Sequence, residues 1–211
     1  MNQILFISNY QKRIQLKMKI IFFVFIFLSF LLISFFLFLK FKSVKKNKYS
    51  QELTNSYKIA TLYKNYDAKF TSNQNNNFEK RNTFVIGLIE IPKINLIYPI
   101  LSNISDELLE ISVCHFYGPL PNEIGNMCIA GHNYSDNRIF GKLYLMELED
   151  TINIYDINGN KLEYIIYSKS EVEPNDLSCL NQTTNGIKEI TLITCNTLDN
   201  KRHVIKAKEN R

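Results

Sequence analysis

From Ile20 to Leu39 the chain reads IIFFVFIFLSFLLISFFLFL, 20 residues whose only polar members are Ser29 and Ser34. As a helix this run rises about 30 Å, the thickness of a bilayer core, and both serines can bond back to their own turn. Lys12, Arg13, Lys17 and Lys19 flank it on one side and Lys40, Lys42, Lys45, Lys46 and Lys48 on the other, with no acid before Glu52. Such collars sit among lipid headgroups. The run is longer than a secretory apolar region and no small-residue cleavage site follows it closely, so it predicts an uncleaved single-pass anchor. Four cations before and five after tilt the count slightly towards a cytoplasmic C-terminus, too small a difference to set topology.

The formal charge of +5 suggests a nucleic-acid binder until it is divided along the chain. Residues 1–83 hold 14 Lys/Arg against 3 Asp/Glu, and residues 84–211 hold 11 against 17. The second part is acidic, which argues against a phosphate-binding surface there, and no nucleic-acid partner is expected. With 45% hydrophobic residues the chain must nonetheless pack a core. Residues 40–82 are polar, Lys-rich at first and then SNQNNNF at 72–78, and predict a linker or stalk. Leu53, Tyr57, Ile59 and Ala60 leave room within it for a short helix.

Beyond Asn82 the pattern turns to short β-rich runs between turn residues. Residues 84–92, 95–101, 126–132, 151–156, 162–172, 189–195 and 203–208 read as strands, and Asn158-Gly159 as a hairpin turn. Ser105 caps a short helix over DELLEISV, and residues 140–148 suggest another. The expected fold is mainly β: a closed or nearly closed barrel of seven to eight strands with short helices, filling residues 83–211.

Four cysteines (Cys114, Cys128, Cys179, Cys195) form no CxxC pair, and three histidines (His115, His132, His203) no HExxH. Neither a disulfide framework nor a zinc site is supported, and no metal or cofactor is expected. Cys195 ends an apolar strand and Arg202 opens the next after a turn-like loop. If the two strands pair through it, the residues fall nearly opposite each other at about 4.5 to 5.5 Å between Cα atoms. A guanidinium there can hold a peptide carbonyl and its oxyanion beside a thiolate. For an arbitrary Cys and Arg, an inert buried thiol and a solvated cation are the commoner outcome. His132 stands at another strand end, after Gly131, where it could give a proton to a leaving amine. His115, by a Pro-containing turn, and His203, on the opposite side of its strand from Arg202, compete for that role.

Three elements in this order resemble the sortases, membrane-anchored cysteine transpeptidases of Gram-positive bacteria. Gly87-Leu88-Ile89-Glu90-Ile91-Pro92-Lys93-Ile94 is similar to their first barrel strand. Gly125-Asn126 through Gly131-His132-Asn133 is similar to their histidine motif, and Thr191-Leu192-Ile193-Thr194-Cys195 to their cysteine motif, with Arg202 following. The likeness runs over residues 84–208. It implies that Cys195 is the nucleophile, His132 the general acid/base and Arg202 the clamp for the substrate carbonyl and oxyanion. Val172-Glu173-Pro174-Asn175-Asp176-Leu177 looks like the start of the substrate loop, so Val172, Pro174, Leu177, Ala130 and Ile193 are expected to line an apolar groove, although plain barrel core would explain each of them equally well.

The resemblance further implies partners: secreted proteins carrying a C-terminal LPXTG-like sorting signal, and a cell-wall amine acceptor. The domain would face outward from the cell membrane, with residues 1–19 cytoplasmic and 20–39 in the bilayer. Asp106, Glu107, Glu110 and Glu123 lie where some relatives bind calcium, but their spacing specifies no site. The short loop between Cys195 and Arg202 and the lack of a long N-terminal lid favour class A-like or class D-like forms. Two other readings remain open from the sequence: a surface cysteine peptidase using water, and a non-catalytic tethered β-barrel binding module.

Overall fold

The computed structural model describes residues 2–62, 83–196 and 199–211. The chain divides into two compact units, Met1–Lys45 and Lys46–Arg211. One helix, α1 (Asn2–Leu62), runs through the first and into the second. Its apolar part is long enough to cross a membrane, with a mean hydropathy of 3.1 over its most apolar window and none of that window buried.

The second unit is a closed barrel. Its strands are β1 (Val85–Ile91), β2 (Leu96–Leu101), β3 (Val113–Tyr117), β4 (Gly125–Ala130), β5 (Thr151–Asp156), β6 (Lys161–Val172), β7 (Lys188–Cys195) and β8 (Arg202–Glu209), with a one-turn helix α2 (Asp106–Leu109) before β3. They close in the order β1-β2-β3-β4-β7-β8-β6-β5. Closure leaves no unpaired sheet edge. The pairs β2–β3 and β4–β7 are parallel and the other six antiparallel. The mainly β barrel with short helices that the sequence predicts is therefore the fold, with eight strands.

Alternation builds the core. Along β7, Ile190 and Leu192 point inward with Ile89, Ile129, Ile154 and Ile205, while Ile193 points outward into a smaller cluster with Cys128, Cys179 and Val204. At the β5–β6 hairpin, Asp156 Oδ1 accepts from the Asn158 and Asn160 amides at 2.8 and 2.9 Å, and Gly159 takes φ 80°. The turn signal at Asn158-Gly159 is thus realised.

Three expectations change. The helix over DELLEISV ends at Leu109, because β-branched Val113 already pairs with Ile100 as the start of β3, a strand the sequence pattern did not reveal. Residues 140–148 hold only a 3-10 turn, Leu143–Leu145. Its carbonyls go elsewhere: the Lys169 ammonium donates to the Tyr144 and Met146 oxygens at 2.7 and 2.8 Å, so the helical ladder does not continue.

The third concerns the expected stalk at 40–82, which is helical as far as Leu62; residues 63–82 lie outside the described residues. Ser50, Leu53, Thr54 and Tyr57 follow i, i+3, i+4, i+7 spacing and form one face. Tyr57 and Leu53 pack with Val85, Leu88, Leu101, Leu108 and Cys114. The Tyr57 hydroxyl donates to the Asp156 carbonyl and Lys46 pairs with Glu110. This helical segment is part of the folded unit rather than a spacer.

Candidate active site

The site is assembled at one end of the neighbouring strands β4, β7 and β8. Cys195 continues the outward series of Thr191 and Ile193, and being the last residue of β7 it is exposed. Register pairs it with Arg202, the first residue of β8. The Asn196 amide donates to the Lys201 carbonyl at 2.7 Å next to that pair, and Arg202 Nη1 lies 3.9 Å from Cys195 Sγ. Residues 197 and 198 of the loop lie outside the described residues.

His132 arrives from β4. That strand runs parallel to β7 with Ala130 opposite Ile193, and the chain then leaves the sheet as Gly131-His132-Asn133. Three hydrogen bonds tie this segment to the end of β7. The Gly131 amide donates to the Ile193 carbonyl at 3.1 Å, Thr194 Oγ1 to the Gly131 carbonyl at 2.7 Å, and Asn133 Nδ2 to the Cys195 carbonyl at 2.8 Å. The His132 carbonyl in turn accepts from the Phe140 amide at 3.0 Å. Only glycine fits at 131, since a Cβ there would come within 2.6 Å of Phe140 Cδ2. The His132 ring meets the edge of Tyr134 at 5.3 Å, and the Arg138 guanidinium covers the Tyr134 ring at 4.2 Å.

A groove of about 500 Å³ joins these groups. Its lining contains all eight residues singled out in the sequence: Cys195, His132, Arg202, Ala130, Ile193, Val172, Pro174 and Leu177. Ile104, Leu109 and Phe116 complete the opposite wall and were not expected. The wall formed by 172–182 is pegged by Asn126, whose Nδ2 donates to the Cys179 and Asn181 carbonyls at 3.0 and 3.1 Å and whose Oδ1 accepts from Thr191 at 2.7 Å. Gln182 answers from the wall, accepting from the Asn126 amide at 3.0 Å and donating to its carbonyl at 2.8 Å. The available sequence signal for this peg was an asparagine at the head of the apolar run Met127-Cys128-Ile129-Ala130, and in the fold it is fully buried.

The competing side chains are occupied elsewhere. Cys114, Cys128 and Cys179 are buried. Burial pushes the Cys114 and Cys128 thiols up to about 12 and raises Cys179 as well, so none supplies thiolate near neutrality. His115 Nε2 pairs with the Pro119 carbonyl at 3.1 Å, and His203 is buried on the inward face of β8. Glu110 pairs with Lys46, and Glu123 accepts from the Leu120 amide at 2.9 Å. Among the described residues no three His, Cys, Asp or Glu side chains come together as a metal site.

The sortase domain model matches residues 89–210. A sortase D5 transpeptidase of Clostridium perfringens is similar at 27% identity and a TM-score of 0.60, over 76% of this chain and 99% of that one. Sortase C1 of Streptococcus agalactiae is similar at 25% identity and a TM-score of 0.53, over 60% of this chain and 68% of that one. Sortase A of Listeria monocytogenes shares the fold at 23% identity and a TM-score of 0.55, over 60% of this chain and 88% of that one. No curated protein sequence matches the chain.

Proposed function

The chain belongs to the sortase family, and from that premise we propose that it is a membrane-tethered cysteine transpeptidase acting on an LPXTG-like sorting signal. Cys195 Sγ attacks the carbonyl of the signal's threonine, and Arg202 holds that oxygen as it gains negative charge. His132 gives a proton to the departing amine, leaving the substrate as a thioester on Cys195. An amine of the cell wall then takes the acyl group, and the thiolate returns.

The observation that carries this reading is the pairing of Cys195 with Arg202 at the mouth of a groove that also holds His132. Of the four cysteines Cys195 alone is exposed, and the Arg202 guanidinium lies beside it. The apolar residues Ala130, Val172, Pro174, Leu177 and Ile193 offer contact to the leucine and proline of such a signal. Residues 1–19 would lie in the cytoplasm, 20–39 in the bilayer and the barrel outside, close to the surface where secreted substrates emerge. Incubating the protein with a fluorogenic LPXTG peptide tests the reading: cleavage between threonine and glycine that requires Cys195 supports it, and no cleavage of any such peptide refutes it.

A further inference from the structure

The loop from His132 to Gly141, which leads off the end of β4, holds its backbone in unfavourable conformations on either side of one side chain. Asn137 takes φ 66° and Ile139 φ 51°. Asparagine tolerates the left-handed region, but a β-branched residue there is an outlier that persists only where its surroundings over-determine it. Ile139 is held in that way. Its side chain is buried in the core, its amide donates to the Tyr98 hydroxyl at 3.3 Å, and it forms a β-bridge with Asn133.

The residue between these two left-handed positions is Arg138. Its guanidinium lies over the ring of Tyr134, with Cζ 4.2 Å from the centroid, while its N–H edge makes hydrogen bonds. Nε donates to Asp136 Oδ2 at 2.8 Å and Nη1 to Asn47 Oδ1 at 3.2 Å. A planar cation can stack through its face and bond through its edge together, which an ammonium cannot. Only 13% of the Arg138 side chain is exposed, so these contacts are poorly screened by solvent. Asn47 belongs to the part of α1 that folds with the barrel, next to Lys46, whose partner is Glu110.

Tyr134 in turn touches His132, ring to ring at 5.3 Å and 65°. Among the described residues the His132 ring has no ion pair or hydrogen bond, so its orientation rests on this aromatic contact. The Phe140 amide fixes the His132 carbonyl but not the side-chain torsions.

We propose that Tyr134 and Arg138 are positioning residues for His132. The guanidinium, anchored by Asp136 and by Asn47 of α1, holds the Tyr134 ring, and that ring sets the plane of the imidazole. The inference rests on the reading of His132 as general acid and base. That role has the imidazole give a proton to one amine and take one from the next, so its plane must be the same in both steps. The strained turn at Ile139 serves this end by keeping Arg138 folded back over Tyr134.

NMR of the full chain in detergent micelles, with histidine selectively labelled, tests this without requiring turnover. The chain has three histidines, and His132→Gln assigns the His132 imidazole signal. Tyr134→Leu and Arg138→Met are each expected to move that signal, while the signal of His115, whose ring pairs with the Pro119 carbonyl, stays in place. In both variants kcat for a fluorogenic LPXTG peptide should fall by about tenfold to a hundredfold, the scale of a misplaced catalytic group, with KM changed by less than about twofold. Tyr134→Phe keeps the ring and should restore both the signal and kcat. Asn47→Ala should move the signal in the same direction as Arg138→Met and by less. An unmoved His132 signal in Tyr134→Leu and Arg138→Met overturns the proposal, as does an equal shift of the His115 signal, which marks a general loss of structure. If neither of those variants folds, Asn47→Ala decides, since it leaves the loop sequence intact, and an unmoved signal there overturns the proposal. Failure of the underlying reading is distinct: the wild type would cleave no such peptide although the His132 signal still depended on Tyr134 and Arg138.

Discussion

Cys195 and Arg202 are register partners at the open end of β7 and β8, with the guanidinium Nη1 3.9 Å from the sulfur. Register partners are held by the sheet ladder rather than by loop conformation, so their spacing survives changes in the connecting residues. A planar fork fixed beside Cys195 can donate to the sulfur at rest and, in the proposed reaction, to the oxyanion formed on the carbon that the sulfur attacks.

Arg202→Lys keeps the charge and loses the multi-donor plane. It should lower kcat/KM for a fluorogenic LPXTG peptide by about 2.7 to 4 kcal/mol, the size of one oxyanion-hole donor. The urea midpoint should hardly move. Turnover near wild type would remove Arg202 from the site.

Gly131→Ala places a methyl 2.6 Å from Phe140 Cδ2 and 2.9 Å from Ile139 Cγ2, both on buried side chains. We expect a stability loss of about 1 to 3 kcal/mol, as for overpacking in a core. Activity should fall further than stability explains, because the displaced segment carries His132. Unfolding curves and kinetics on the same sample separate the two effects.

The helical face of Leu53, Thr54 and Tyr57 makes the choice of truncation decisive. A chain beginning at residue 46 should be soluble and fold normally. One beginning at residue 63 uncovers Val85, Leu88, Leu101 and Leu108 and should lose about 2 to 4 kcal/mol, the scale of burying one or two large side chains. Equal urea midpoints for the two would contradict the packing.

The Cys195–Arg202 pair was legible in the sequence because a strand-turn-strand pattern sets register by counting, and counting needs no tertiary information. His132 was legible as a strand end next to a glycine. Strand β3 was not, because Val113 follows directly on a capped helix and its parallel pairing with β2 leaves no turn signal between them. A short helix was legible from Leu53 and Tyr57, but the packing face at 50–57 escaped because two of its four positions, Ser50 and Thr54, are polar. Its burial depends on a surface of the barrel far along the chain. Asn47 is likewise far in sequence from Arg138. Only the docking of this helical segment on the barrel brings the two together.

The central claim is that Cys195 carries the acyl group, and intact-protein mass spectrometry of the enzyme mixed with an LPXTG peptide in the absence of amine tests it most directly. The account predicts a mass increase equal to the peptide up to its threonine, mapped by digestion to Cys195, discharged by added triglycine and absent in Cys195→Ala. An adduct on Cys114, Cys128 or Cys179, or cleavage that persists in Cys195→Ala, would contradict it.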